Sequence, residues 1–150
     1  MKIVFNVLMI LFVGQVYSQT INVVGKVMGV EVSGKDGSYH FSVKVSSPDK
    51  GCDQYANWWE VINLKGDLIY RRILAHSHVQ EQPFTRSGGP VPVNKNDTVI
   101  VRVHMHPGGY GAGKIGMKGT VSTGFNRILL EPGFATDTGT TGPQPQGCRF

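Results

Sequence analysis

Ser38-Tyr39-His40-Phe41-Ser42-Val43-Lys44-Val45 decides the fold class. Tyr39, Phe41, Val43 and Val45 share one parity; Ser38, His40, Ser42 and Lys44 share the other. Successive side chains of a strand point to opposite faces, so a period of two marks a strand with one face in a core and one in water. The flanking sequence repeats the pattern. A run from Thr20 to Ser33 carries Val24, Met28, Val30 and Val32 on one parity, and Lys35-Asp36-Gly37 turns it into the quoted strand. Ser47-Pro48-Asp49-Lys50-Gly51 ends that strand. A third run, about Trp58 to Leu64, joins a fourth, Leu68 to Ala75, through Lys65-Gly66-Asp67, a hairpin signal.

Pro83 to Asn96 reads as a loop, with Val91 and Val93 as a short edge strand, because Gly88-Gly89-Pro90 and Pro92 interrupt it. Val99, Val101, Val103 and Met105 then alternate with Thr98, Ile100, Arg102, His104 and His106. A glycine-rich loop, Pro107 to Gly113, leads to a last strand around Ile115 to Thr123. Helical periodicity is nearly absent. The pattern predicts an all-β domain over residues 19–123: an antiparallel sandwich, immunoglobulin- or fibronectin type III-like, with a small barrel as the alternative. Residues 124–150 read as an irregular tail rich in Thr, Gly, Pro and Gln, with Phe125 and Ile128-Leu129-Leu130 as docking points.

Residues 1–18 read as a signal peptide: Met1-Lys2, an apolar run from Ile3 to Val13, then Val16-Tyr17-Ser18 before Gln19. The apolar run is short of the roughly 20 residues that span a bilayer, so no membrane span is expected after cleavage. No Cys stands at the cut, which argues against a lipid-anchored N-terminus. These features predict a secreted or periplasmic protein. The chain's formal charge is +5, without a dense Lys/Arg run, so nucleic acid is excluded as a partner. Arg71-Arg72 and Arg86 read as solvated surface.

Cys52 and Cys148 are the only cysteines. In an oxidising compartment they are expected to form an intramolecular disulfide that ties the tail to the body; two buried thiols or an intermolecular bridge are the alternatives.

Four of the five histidines form two H-x-H pairs, His76-Ser77-His78 and His104-Met105-His106. On a strand, each pair aims two imidazoles to one side. If the strands run A, B, C, C′, E, F, G, the B–C loop, both histidine pairs and the loop carrying Tyr110 meet at one pole. Imidazole nitrogens favour Cu(II) or Zn(II) over Ca(II) or Mg(II), so His76, His78, His106 and His104 are the candidate metal ligands. Met105 shares the valine face and reads as core; His40 reads as an ordinary exposed histidine. Glu81 has three candidate roles: ligand, acceptor for an imidazole N–H, or general base toward a metal-bound water. A salt bridge to Arg86 is its structural alternative. Asp53 either supports the site or caps the B–C turn. Of Trp58 and Trp59, one should face the core and one outward, the outward one lining the pole as a platform for a sugar. Gly108 to Lys114 has phosphate-loop spacing, but Ile115 follows and strands flank it, so it is set aside.

Gly51-Cys52-Asp53-Gln54-Tyr55-Ala56-Asn57-Trp58-Trp59-Glu60-Val61 and His76-Ser77-His78-Val79-Gln80-Glu81-Gln82-Pro83-Phe84-Thr85-Arg86-Ser87 together resemble an uncharacterised family of small exported bacterial proteins. Its pattern is G-x-D-x-Y-A-x-x-W-x-V, then H-x-H-V-x-E-Q-P-F-T-R-S, then a His before a Gly-rich segment. The resemblance covers roughly residues 47–113. It implies export and a shared site at His76, His78, Glu81, Gln82, Phe84, Thr85, Arg86 and His106, with no reaction attached. In that pattern Asp often stands where this chain has His104, and Trp where it has Cys52. The departures weaken His104 as a ligand and make the disulfide a feature of this chain.

The expected function is a secreted metal-binding sandwich for copper or zinc. The alternative is a carbohydrate- or peptide-binding module using the same pole, its partner a small ligand, glycan or protein. Sequence alone leaves open whether the protein is an enzyme.

Overall fold

The computed structural model describes residues 24–111 and 115–149. The signal peptide assigned to residues 1–18 lies outside them. Eight strands form two antiparallel sheets: β1 (Lys26–Lys35), β2 (Ser38–Ser46), β3 (Tyr55–Asn63), β4 (Leu68–Ile73), β5 (Phe84–Val91), β6 (Val99–His106), β7 (Ile115–Thr120) and β8 (Gly124–Leu129). One sheet has the order β1-β2-β5 and the other β4-β3-β6-β7-β8. Labelled in chain order, the first seven strands are A, B, C, C′, E, F and G, with A-B-E facing C′-C-F-G. The protein is a β-sandwich of the immunoglobulin and fibronectin type III-like kind.

The period-two pattern builds the core. Phe41, Val43 and Val45 from β2 meet Trp59 and Val61 from β3 and Val101, Val103 and Met105 from β6, all essentially buried. Strand β1 reaches the same core by slipping: its register with β2 shifts between Val27 and Gly29. Val27 is therefore fully buried opposite Val45, Val30 and Val32 face the core further along, and Met28 is pushed out to half exposure. A β-bulge of this kind inserts one residue and resets the parity after it.

Two segments differ from the sequence reading. Phe84–Val91 is not a loop but a full strand, paired with β2 from Val45↔Phe84 to Tyr39↔Val91. Its glycines serve close packing. A Cβ on Gly88 would stand 2.6 Å from the Tyr70 hydroxyl, and one on Gly89 2.7 Å from the Tyr39 carbonyl oxygen. Glycine that looks like a turn signal here marks a close approach of neighbouring groups. The second difference lies past Gly124. Residues Gly124–Leu129 are not irregular; they form β8, paired with β7 from Thr120↔Gly124 to Ile115↔Leu129. The sheet therefore runs beyond the boundary expected at residue 123, and the irregular part begins at Leu130.

That irregular segment, with one short 3₁₀ helix at Thr136–Gly139, lies over the outer face of β3, β4 and β6. It is bound by polar groups. Among residues 130–149 only Thr138 is fully buried. Cys148 is bonded to Cys52, with their Cα atoms 5.4 Å apart, so the expected disulfide is present and anchors the segment's far end.

Candidate functional site

The outer face of C′-C-F-G is set by register. Glu60 on β3 lies directly opposite Arg71 on β4 and Arg102 on β6. Cross-strand neighbours on one face interact, and here one carboxylate receives two guanidinium groups. Arg71 donates through Nε and Nη2 to Glu60 Oε2, Arg102 donates through Nε to Oε1 at 2.9 Å, and Trp58 Nε1 donates to Oε2 at 3.1 Å. All three charged groups are buried. Burial pushes the Glu60 carboxyl up, but the two arginines outweigh it and hold it below its ordinary range. The outward forks of both arginines bind the covering segment. Arg71 donates to the carbonyls of Thr138, Thr141 and Pro143; Arg102 donates to those of Phe134 and Ala135 and to the Thr138 hydroxyl.

Arg71, expected on the surface, is therefore buried beneath that segment. Trp58, the outward indole expected to be an exposed platform, is 1% exposed, its ring stacked on His104 and under the Arg71 guanidinium. The sequence reading missed Glu60 and Arg102 altogether. The available signal was opposite charge on the outer parity of two apolar strands, but an outer face was assumed to be wet.

The two histidine pairs come apart on this frame. His104 and His106 do share one face of β6, and Met105 is fully buried on the other, as parity requires. His104 is nevertheless occupied. Its ring stacks on Trp58 at 3.6 Å, meets Tyr110 edge-on at 4.8 Å, and its Nδ1 stands 2.7 Å from Asn57 Oδ1. Because Oδ1 only accepts, Nδ1 carries the proton. Burial, reinforced by nearby arginines against the pull of Glu60, lowers its pKa to about 4. Tyr110, expected as a site residue, is likewise buried: its ring lies under Arg102 at 3.7 Å and its hydroxyl meets that of Thr138. His106, one turn of the pleat further, is exposed and lies beside Tyr55, ring centres 5.9 Å apart.

The other pair lies beyond the end of β4, in a loop and not on a strand. His76 is exposed. His78 is 4% exposed, stacked on Phe84 at 3.8 Å, with its ring 4.6 Å from that of His76. Neither of its ring nitrogens has a hydrogen-bond partner. Burial, with Arg86 and His76 adding to it, lowers its pKa. Asp49, unremarked in the sequence, fixes this loop: its carboxylate accepts from the backbone N–H of His78 at 2.8 Å and of Ala56 at 3.0 Å. Gln82 braces it further, accepting from Ser47 N–H and donating to the His78 carbonyl. Glu81 is held by Arg86 at 2.7 Å, and Phe84 is core. Thr85 and Asp53 are exposed. Among the described residues, no three His, Cys, Asp or Glu side chains are grouped so as to hold one ion. The four-histidine set is not assembled, since His104 is committed to its stack.

The pole itself is real. Gly51 N–H donates to Ser77 Oγ at 3.2 Å, and Arg149 N–H to the Ala75 carbonyl at 2.7 Å, so the B–C loop, the histidine loop and the covering segment meet there. Beside the disulfide it opens into a cleft of about 420 Å³. One wall belongs to the strands, Tyr55, Asn57 and His106; the other belongs to the covering segment, Gln144, Pro145 and Gly147. No Asp, Glu, Lys or Arg lines it.

Fold and cleft together define an antiparallel β-sandwich with a recess at its disulfide-bridged pole that no Asp, Glu, Lys or Arg lines. A curated protein of Halomicrobium mukohataei, described as "Putative lipoprotein", is 44% identical over 71 residues. The matched stretch is 47% of this chain and 35% of that protein, so the chain spans about a third of its relative's length. No family model matches the chain. No solved structure matches it. No helix among the described residues is long and apolar enough to cross a membrane.

Proposed function

We propose that this is an exported binding module that holds a neutral carbohydrate in the cleft beside Cys52–Cys148. The observation that carries the reading is the lining. An aromatic pair, Tyr55 and His106, stands next to the side-chain amides of Asn57 and Gln144, with no fixed charge. Apolar ring faces and amide hydrogen bonds match the alternating C–H and O–H surfaces of a saccharide, while a charged ligand would find no counter-charge. The exposed ring face is that of His106, with Tyr55, 4% exposed, packed beside it. Export rests on the leader pattern in residues 1–18 and on the description of the relative as a lipoprotein. The test is an array of neutral oligosaccharides probed with the mature oxidised protein, followed by calorimetry. Gln144→Ala and His106→Ala should each weaken a hit about tenfold, the size of one lost polar contact. Retention of no neutral glycan defeats the proposal.

A second reading keeps a transition metal at His76 and His78 alone. It is favoured by the two unpartnered nitrogens of a buried imidazole lying 4.6 Å, ring to ring, from an exposed one. Neutral imidazoles of this kind suit Cu or Zn. Calorimetric titration with Cu(II) and Zn(II) tests it: His76→Ala and His78→Ala should each abolish binding, while His104→Ala leaves it intact. Equal, weak binding by wild type and variants removes the reading.

A further inference from the structure

Residues 134–149 form a strap, and what holds it is unusual in kind. Of this stretch only Thr138 is fully buried. The strap is fastened at two places. At one, the forks of Arg71 and Arg102 grip the carbonyls of Phe134, Ala135, Thr138, Thr141 and Pro143. At the other, Cys148 is bonded to Cys52 of the B–C loop. The arginines do not depend on the strap for their posture: Glu60 holds both from the sheet side, Trp58 underlies Arg71 at 4.3 Å, and Tyr110 underlies Arg102. The sheet is a preformed receptor, and the strap is a polar segment docked onto it. Elements with few buried apolar contacts sit at the low-stability end of a fold and open first.

The strap also supplies one wall of the cleft, and the disulfide lines that cleft with both cysteines partly exposed. We propose that Cys52–Cys148 is a redox latch: a dithiol reductant opens it, the strap leaves the sheet, and the cleft loses one wall while the sandwich stays folded. The chemistry is thiol–disulfide exchange. A thiolate of the reductant attacks one sulfur of the bond and displaces the other as a thiolate, which takes up a proton. The reductant's second thiolate resolves the mixed disulfide. Two electrons pass, Cys52 and Cys148 end as thiols, and the reductant ends as its own disulfide. Control of ligand capture by the latch rests on the carbohydrate reading above; release of the strap does not.

Hydrogen exchange with mass spectrometry on the full mature chain, oxidised and after treatment with the dithiol dithiothreitol, tests the latch. Peptides covering residues 134–149 should lose protection by about tenfold or more, as a local opening does, while those from β2, β3 and β6 keep theirs. Cys148→Ser should show the open pattern without reductant. Unchanged protection of the strap after reduction overturns the proposal. So does loss of protection throughout the sandwich, or failure of Cys148→Ser to fold, since either makes the bond a global staple. On the oligosaccharide array, glycans held by the oxidised protein should be lost on reduction; if they persist, the cleft does not need the strap. If the oxidised protein holds none, the carbohydrate reading falls and the exchange result still decides the latch.

Discussion

His76-Ser77-His78 and His104-Met105-His106 are the same motif in sequence and opposite objects in the fold. The second obeys strand parity. Its first imidazole is locked between an indole, an amide and a phenol, and it is held neutral there. The first pair ignores parity, because the chain has left the strand before reaching it, and its buried member has no partner for either nitrogen. Spacing alone fixes where two side chains point only while the backbone is extended. What each imidazole then does is decided by what the adjacent strand or loop presents to it.

The largest effect expected is on the locked side. Glu60→Gln leaves Arg71 and Arg102 buried against a neutral amide. Breaking a buried pair by removing one partner costs about 3–5 kcal/mol, and urea unfolding should show a loss of that order. A loss under about 1 kcal/mol would mean that this face is wetter than the structure has it.

The next effect is a pH dependence to which His104 contributes most. Its pKa in the fold, about 4, lies below the ordinary histidine value, so the unfolded chain binds the proton more tightly. Stability is then complete above pH of about 6.5 and is lost as pH falls from there toward 4, by about 3 kcal/mol. His104→Phe, which keeps the stack on Trp58 without the proton, should reduce that slope and leave the part that His78 contributes. Denaturation midpoints across this range would sink the contrast if His104→Phe and wild type behaved alike.

The two members of the open pair should also separate. His78→Ala removes a buried ring packed on Phe84 and should cost about 2–3 kcal/mol; His76→Ala, at an exposed position, should stay within about 0.5 kcal/mol. In an NMR titration the His78 ring should protonate below the ordinary histidine range, since burial and Arg86 both disfavour its charge. Smallest of all, His40→Ala on the exposed face of β2 should shift stability by no more than about 0.5 kcal/mol, and a larger change would show that this face carries an unseen contact.

The strands were legible because alternation is a local property. Tyr39 to Val45 and Val99 to Met105 announce themselves, and the order A to G follows from short links. The disulfide was legible from two cysteines and a leader-like pattern in residues 1–18. Three things were not. The β1 bulge at Met28 shifts parity by one residue, and only the partner strand reveals it. Strand β5 hides behind Gly88 and Gly89, whose smallness serves Tyr70 and Tyr39 rather than a turn. The Glu60–Arg71–Arg102 cluster reads as three solvated charges until a remote segment covers them. Burial imposed from 28 to 78 residues away has no local signature, and it also turned Tyr110 from surface into interior.

The separation of Cys52 from Cys148, 96 residues, has a consequence for how the molecule is made. Cys52 is synthesised long before its partner, and every strand from β3 to β8 follows it before Cys148 exists. The ring can close only after every strand from β3 to β8 has been made, so the bond cannot guide those strands while they are being synthesised. With only two cysteines in the chain, no wrong ring can form within one molecule. The one available error is between molecules, when an unsealed Cys52 meets a neighbour's, and it becomes more frequent as unfinished chains crowd together.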